Sequence, residues 1–131
     1  MSNYKALHEF VKKGTAVTAK RRVYSAHITC GKINAYMRIA YHRIEGQFAE
    51  TLDIGSVECI EPGKGHFTRF LTEVERLADK HGFPVFVESI MNPDLLGSLV
   101  RRGYQVSDHG LCPNAFRNKA AVVNEPAPLK T

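Results

Sequence analysis

Cysteine is scarce in this sequence, and the three present, Cys30, Cys59 and Cys112, are odd in number and widely spaced. With no Cys-x-x-Cys pair they argue against a disulfide framework and a zinc knuckle, and read as small buried apolar groups. The six histidines (His8, His27, His42, His66, His81, His109) contain no His-x-x-x-His pair and no Cys/His cluster at ligand spacing, so no metal site is expected. No apolar run approaches the roughly 18 residues that a membrane-crossing helix needs. The start, Met1-Ser2-Asn3-Tyr4-Lys5, lacks the pattern of a secretory signal. A cytoplasmic protein with no membrane partner is expected. Internal repeats and low-complexity tracts are lacking as well.

What is present fits one domain. The chain has 131 residues, 44% of them hydrophobic, enough for a core of its own. We expect that domain over 1–119 and a disordered tail over 120–131, where two prolines fall in a stretch without periodicity. The formal charge is +5, with basic residues gathered at Lys12-Lys13, Lys20-Arg21-Arg22 and Arg101-Arg102. Such an excess suits an anionic partner, a phosphorylated cofactor or nucleic acid, and equally a solvated basic face.

Hydrophobic spacing sets the order of elements. Leu7, Phe10 and Val11 predict a short amphipathic helix over 4–13, ended near Gly14, with a polar, basic connection over 15–21. Three strands follow, at 22–30, 33–44 and 48–59. The second strand puts Ile33, Ala35, Met37, Ile39 and Tyr41 on one face and Asn34, Tyr36, Arg38 and His42 on the other. In the third, Phe48, Leu52 and Ile54 face one way until Gly55 interrupts the alternation, as at a bulge or a close backbone approach. From Gly65 the period becomes helical, through Phe70, Val74 and Leu77, up to a C-terminal Gly82. A short buried strand over 84–89 precedes a second helix, with Asn92 as N-cap and Pro93 at its first position, running to Gly103. Strands over 104–107 and, at an edge, 114–118 complete the order. A βαβ crossover from 56–60 to 84–89 implies an α/β chain of α+β type, a mixed sheet with antiparallel N-terminal strands.

The turn Pro62-Gly63-Lys64-Gly65 joins a strand to a helix start. Backbone N–H groups there lack partners, and with the helix dipole they favour an anion, usually phosphate. Gly63 and Gly65 remove Cβ atoms where a ligand must approach, and Lys64 adds positive charge. The turn is not a Walker A loop, because Gly65 follows Lys64 and the required upstream glycine is Glu58. Nor is it a Gly-x-Gly-x-x-Gly fingerprint, whose third glycine is Thr68 here.

Residues 54–104, about fifty of the chain, resemble the core of the GNAT superfamily of acyl-coenzyme A-dependent N-acetyltransferases. The shared pattern is a bulged strand, a Gln/Arg-x-x-Gly-x-Gly/Ala loop, a helix, a parallel strand, then Asn and a short helix ending Gly-Tyr, here Asn92 to Gly103-Tyr104. The resemblance implies a GNAT-like fold whose central βαβ unit binds acetyl-CoA (coenzyme A). It implies that loop amides around Gly63, Lys64, Gly65, His66 and Phe67 hold the pyrophosphate. Backbone groups near Val57 and Cys59 would pair with the pantetheine arm, and Asn92 would contact the cofactor near its reactive end. Three positions depart from the family: Pro62 and Phe67 replace the loop's first and last residues, and Leu99 stands where a tyrosine commonly protonates the thiolate. The acid is then another group, a water, or absent.

Amide formation requires a neutral amine and hence a base. Glu58, beside the loop and facing away from Val57 and Cys59, is the candidate catalytic residue, with Glu88 and Asp53 as weaker alternatives. Each also reads as an ordinary strand carboxylate. Cys59 as a nucleophile has no activating base in view and reads as packing. His66 reads either as a neutral imidazole near the phosphates or as a plain turn residue. The expected function is acetyl-CoA-dependent N-acyl transfer to an amine acceptor, small molecule or protein. The alternative is a catalytically degenerate GNAT-like binding or inhibitory module, for nucleic acid or a protein.

Overall fold

The computed structural model describes residues 4–18, 23–88, 90, 93–107 and 113–117. The expected Asn92 cap and cofactor contact, Cys112, the Lys20-Arg21-Arg22 group and the 120–131 tail lie outside the described residues.

Helix α1 (Lys5–Thr18) buries Leu7, Phe10 and Val11, spaced to share one face. It does not stop near Gly14 as its sequence suggests. Gly14 is buried in mid-helix, and a Cβ there would lie 2.5 Å from Ile39 Cδ1 and 3.0 Å from the Tyr24 ring. The glycine serves a close helix-to-sheet contact instead of a helix end. Gly14→Ala should therefore destabilise the fold. Overpacking costs about 1–3 kcal/mol, against a gain of roughly 1 kcal/mol in helix propensity, so a net loss of up to about 2 kcal/mol is expected in urea unfolding.

Strands β1 (Tyr24–Cys30), β2 (Ile33–Ile44) and β3 (Gln47–Cys59) form an antiparallel meander. On β2, Ile33, Ala35, Met37 and Ile39 enter the core as their alternation requires. Past Ile39 the pattern changes: Ala40 and Ile44 are buried while Tyr41 is exposed, contrary to its expected place. Phe48, which alternation puts on the face of Leu52 and Ile54, is 71% exposed and lies under the Arg43 guanidinium, 4.7 Å from its ring centre. Alternation gives side-chain parity and does not say how far along a strand the core extends.

The register of β2 on β3 slips at Gly55. Tyr36 opposes Ser56 while Met37 opposes Ile54, so Gly55 is the extra residue of a bulge. Before it Leu52 and Ile54 face the core; after it Val57 and Cys59 do. Gly55 has no room for a side chain, since a Cβ would stand 2.8 Å from the Tyr36 ring.

Helix α2 (His66–His81) buries Phe70, Leu71, Val74, Leu77 and Ala78 and ends at Gly82, where the Phe83 amide returns to the Ala78 carbonyl at 2.8 Å. Strand β4 (Val85–Val87) then pairs parallel with Leu52–Ile54. The expected partner segment was 56–60, beyond the bulge; the pairing lies before it. Helix α3 (Pro93–Arg101) and strands β5 (Gln105–Ser107) and β6 (Asn114–Arg117) follow. The sheet order is β1-β2-β3-β4-β6-β5, so β6, expected at an edge, is internal. It lies between β4 and β5, with Ala115 buried and Arg117 gripping Asp79 through two 3.0 Å hydrogen bonds. No described helix is long and apolar enough to cross a membrane.

Candidate functional site

The site begins where β3 and β4 stop pairing. Among the described residues the parallel ladder ends at Ile54–Val87, with one further bond from the Glu88 amide to the Ile54 carbonyl at 3.1 Å. Gly55 then bulges, and among the described residues β3 continues with β2 alone. On the helix side of this fork lies a cleft of about 450 Å³. Val57 and Cys59 of β3 line one wall, and Pro62, Gly63, Gly65, His66, Phe67 and Thr68 line the turn and the start of α2. Asp94, Leu95 and Ser98 of α3 close the other side. Six of the residues singled out from sequence thus meet around one cavity: Val57, Cys59, Gly63, Gly65, His66 and Phe67.

Gly65 is the N-cap of α2 at φ 79°, and no side chain caps the helix. Gly63 is also left-handed, at φ 85°, with open space where its Cβ would stand. The helix start thus faces the cleft, with its first amides uncapped by a side chain and room beside them, which is what an oxyanion of a phosphate requires. Phe67 packs against the core cluster while it lines the cleft, so its ring forms part of the wall. Lys64 is exposed and is not among the lining residues.

Arg69, unremarked in sequence, folds back over the turn. Its guanidinium donates to the Lys64 carbonyl at 3.1 Å and to His66 Nδ1 at 3.2 Å, and lies 3.0 Å from where a Gly65 Cβ would be. Arginine can only donate. His66 Nδ1 is therefore the acceptor, the ring proton sits on Nε2, and Nε2 faces Glu61 Oε1 at 3.4 Å. These contacts fix the orientation of the ring at the helix start. The signal in sequence was the four-residue interval from Gly65 to Arg69, one helical turn.

Several residues are removed from the list of proton donors and anion ligands. Leu99 is fully buried in the core. Tyr104 is buried too; its hydroxyl donates to Glu75 Oε2 at 2.8 Å, and burial, reinforced by the Glu75 charge, holds its pKa far above the usual phenol range. Arg102, of the basic Arg101-Arg102 pair, is bound to Glu75 and to Thr72. Burial pushes the Cys30 thiol up.

The three carboxylates named as candidate bases are treated differently by the fold. Glu58 is exposed on the sheet face opposite Val57 and Cys59, and accepts a long 3.4 Å bond from Asn34 Nδ2. It borders a shallow groove of about 400 Å³ with His27, Asn34, Tyr36 and Ser56. Asp53 is fully buried on that same face. It accepts from Thr51 Oγ1 at 2.6 Å and Arg38 Nε at 3.1 Å, and meets His42 Nε2 at 2.7 Å. Glu88 is paired with the other end of the Arg38 guanidinium. His42 lies flat on Phe86, ring centres 3.9 Å apart and planes within 13°. Ligand-type atoms of His42, Asp53 and Glu88 lie within 4.8 Å of one another, a convergence invisible in the linear spacing. Arg38 already pairs with both carboxylates and brings its positive charge into the cluster, which works against a divalent cation there.

No family model matches the chain, and no curated protein matches it in sequence. Among solved structures, its fold is similar to that of a chain in the crystal structure of a KacTA–DNA complex. The TM-score is 0.56 at 15% identity, over 89% of this chain and 81% of that one. A second likeness, TM-score 0.49 at 17% identity, is to the anti-CRISPR protein AcrVA5, over 71% of this chain and 96% of that one. The six described strands, in one mixed sheet, and the three described helices form a GNAT-like fold.

Proposed function

We propose that this protein is an acyl-CoA-dependent N-acyltransferase that moves an acetyl group from acetyl-CoA to an amine. The observation that carries the reading is the joint position of the Gly55 bulge, the end of β3–β4 pairing and the uncapped α2 start around one cleft. The amides around Gly63, Lys64, Gly65, His66 and Phe67 would hold the pyrophosphate, with Arg69 bracing the turn and adding positive charge. The β3 backbone at Val57 and Cys59, unpaired on its β4 side among the described residues, would take the pantetheine arm, with Asn92 near its reactive end. When bound, acetyl-CoA supplies an activated acyl group as a thioester. His66, held aside by Arg69, and Phe67, packed on the core, leave the helix start open to an anion. On the opposite face Glu58, exposed beside the groove, is available to anchor the ammonium of an acceptor.

Calorimetric titration with acetyl-CoA tests this: a 1:1 heat and an upward shift of the melting temperature are expected. No heat and no shift at millimolar ligand would sink it. Arg69→Ala should weaken binding about tenfold, roughly 1.4 kcal/mol, and change stability by no more than about 0.5 kcal/mol, because Arg69 is exposed.

A further inference from the structure

The His42–Asp53 pair has the build of a proton-transfer device, and the cofactor cleft leaves it unexplained. Asp53 is buried and fully engaged, so it cannot itself meet a substrate. Its carboxylate can only accept, which puts the His42 ring proton on Nε2 and leaves Nδ1 as the nitrogen able to take a proton. Stacking on Phe86 fixes the plane of the ring, and the Asp53 contact fixes its rotation. A buried carboxylate that sets the tautomer and direction of a partly exposed imidazole resembles the general-base arrangement of acyl-transfer sites on unrelated folds, with the roles of the two ring nitrogens exchanged.

Position supports the same role. Glu88 leaves β4 at the fork, its amide bonded to Ile54, the residue before the bulge. A ring nitrogen of His42, a carboxylate oxygen of Asp53 and one of Glu88 lie within 4.8 Å of one another, so the ring and the Glu88 carboxylate share one polar cluster. Glu88 thus stands at the fork on the face opposite Val57 and Cys59, and the His42 ring lies just before it, over Phe86, which pairs with Asp53. An acyl group held in the cleft and an amine arriving from the open face would meet between the parted strands.

We propose that His42, positioned by Asp53, is the general base for the acceptor amine, which approaches from the face opposite the cofactor cleft. The inference rests on the acyltransferase reading. In the step assigned, the ammonium gives one proton to His42, directly or through one water. The freed nitrogen lone pair attacks the thioester carbon; the C–N bond forms and the C–S bond breaks. The second amine proton goes to the departing thiolate, and His42 returns its proton to solvent. No oxidant or further reactant is required. Arg38 and Glu88 flank the ring, and Glu58, farther along the same face, is left as an anchor for the cationic acceptor.

The test uses the full chain with acetyl-CoA and three amine probes, spermidine, free lysine and poly-lysine, following acetylated product by mass spectrometry. Calorimetry with acetyl-CoA is run on every variant. His42→Ala should lower kcat/KM by about 100-fold or more, with acetyl-CoA affinity within twofold of the wild type. Added imidazole, which fits the space above Phe86, should restore at least about tenfold of that loss, a response that a purely structural histidine would not give. Glu58→Gln should raise KM and leave kcat near the wild-type value. The inference is overturned if His42→Ala stays within threefold of the wild type, if imidazole restores nothing, or if Glu58→Gln carries the loss in kcat. Acetyl-CoA binding without transfer to any probe also counts against it, while leaving the cofactor reading in place. Absence of acetyl-CoA binding by the wild type removes the acyltransferase reading, and this inference with it.

Discussion

Asp53→Ala is expected to lower stability by about 3 kcal/mol, the lower end of the cost of breaking a buried charged pair. The lower end applies because Arg38 remains partly exposed and keeps Glu88 as a partner. Three groups converge on this carboxylate: Arg38 Nε, Thr51 Oγ1 and His42 Nε2. Removing it strands a buried hydroxyl and half of a guanidinium whose pKa is raised by Glu88 first and by Asp53 as well. Urea or thermal unfolding reads the effect, a fall in melting temperature on the order of 10 °C for a chain of this size. Asp53→Asn, which keeps the volume and one acceptor, should cost less than half as much. If alanine and asparagine behave alike, packing and not charge is what Asp53 contributes. His42→Ala makes a useful partner, since it leaves the Arg38–Asp53 pair whole.

The second large effect concerns binding. Gly65→Glu places a carboxylate at the α2 start, where the uncapped amides face the cleft. Like charges brought together in such a site cost several kcal/mol, and the left-handed backbone at φ 79° adds about 1–2 kcal/mol for any residue with a Cβ. The backbone term destabilises the fold; the charge term acts on the anion. At least a 100-fold loss of acetyl-CoA affinity is expected, about 2.7 kcal/mol. Gly65→Ala separates the two, because it carries the backbone strain and the 3.0 Å approach to Arg69 but no charge. It should lose stability while retaining most of the affinity.

Much of the scaffold was readable from residue spacing. The bounds of β2 agree with its alternation, and α2 begins at the glycine turn and ends at Gly82 as its 3.6-residue period requires. Gly55 was legible as a bulge because a glycine there breaks an otherwise regular strand. Gly14 was misread because a glycine that ends a helix and one that admits a neighbouring side chain look identical in sequence; Ile39, twenty-five residues away, decides between them. The internal place of β6 depends on pairing partners, and short strands carry no mark of their neighbours.

The cleft was more legible than the face behind it. Its lining from Val57 to Phe67 is contiguous in sequence, so a local pattern could announce it. Its α3 wall, Asp94, Leu95 and Ser98, required the crossover to close. The His42–Asp53–Arg38–Glu88 cluster is assembled by register alone. Arg38 opposes Asp53 across β2–β3, and Asp53 opposes Phe86 across β3–β4, which brings the His42 stack and the Glu88 pair into reach. A one-residue slip in either ladder would scatter the four. That is why three carboxylates looked alike in sequence and turn out to be one exposed, one buried and one paired.

The most direct test is amide chemical-shift mapping of the ¹⁵N-labelled chain during titration with acetyl-CoA. The account predicts saturable shifts concentrated at Val57, Cys59, Gly63, Lys64, Gly65, His66 and Phe67, with secondary shifts at Asp94, Leu95 and Ser98. Residues of the opposite groove, His27, Asn34 and Glu58, should move little. Shifts gathered on that opposite groove instead, or none at millimolar ligand, would contradict it.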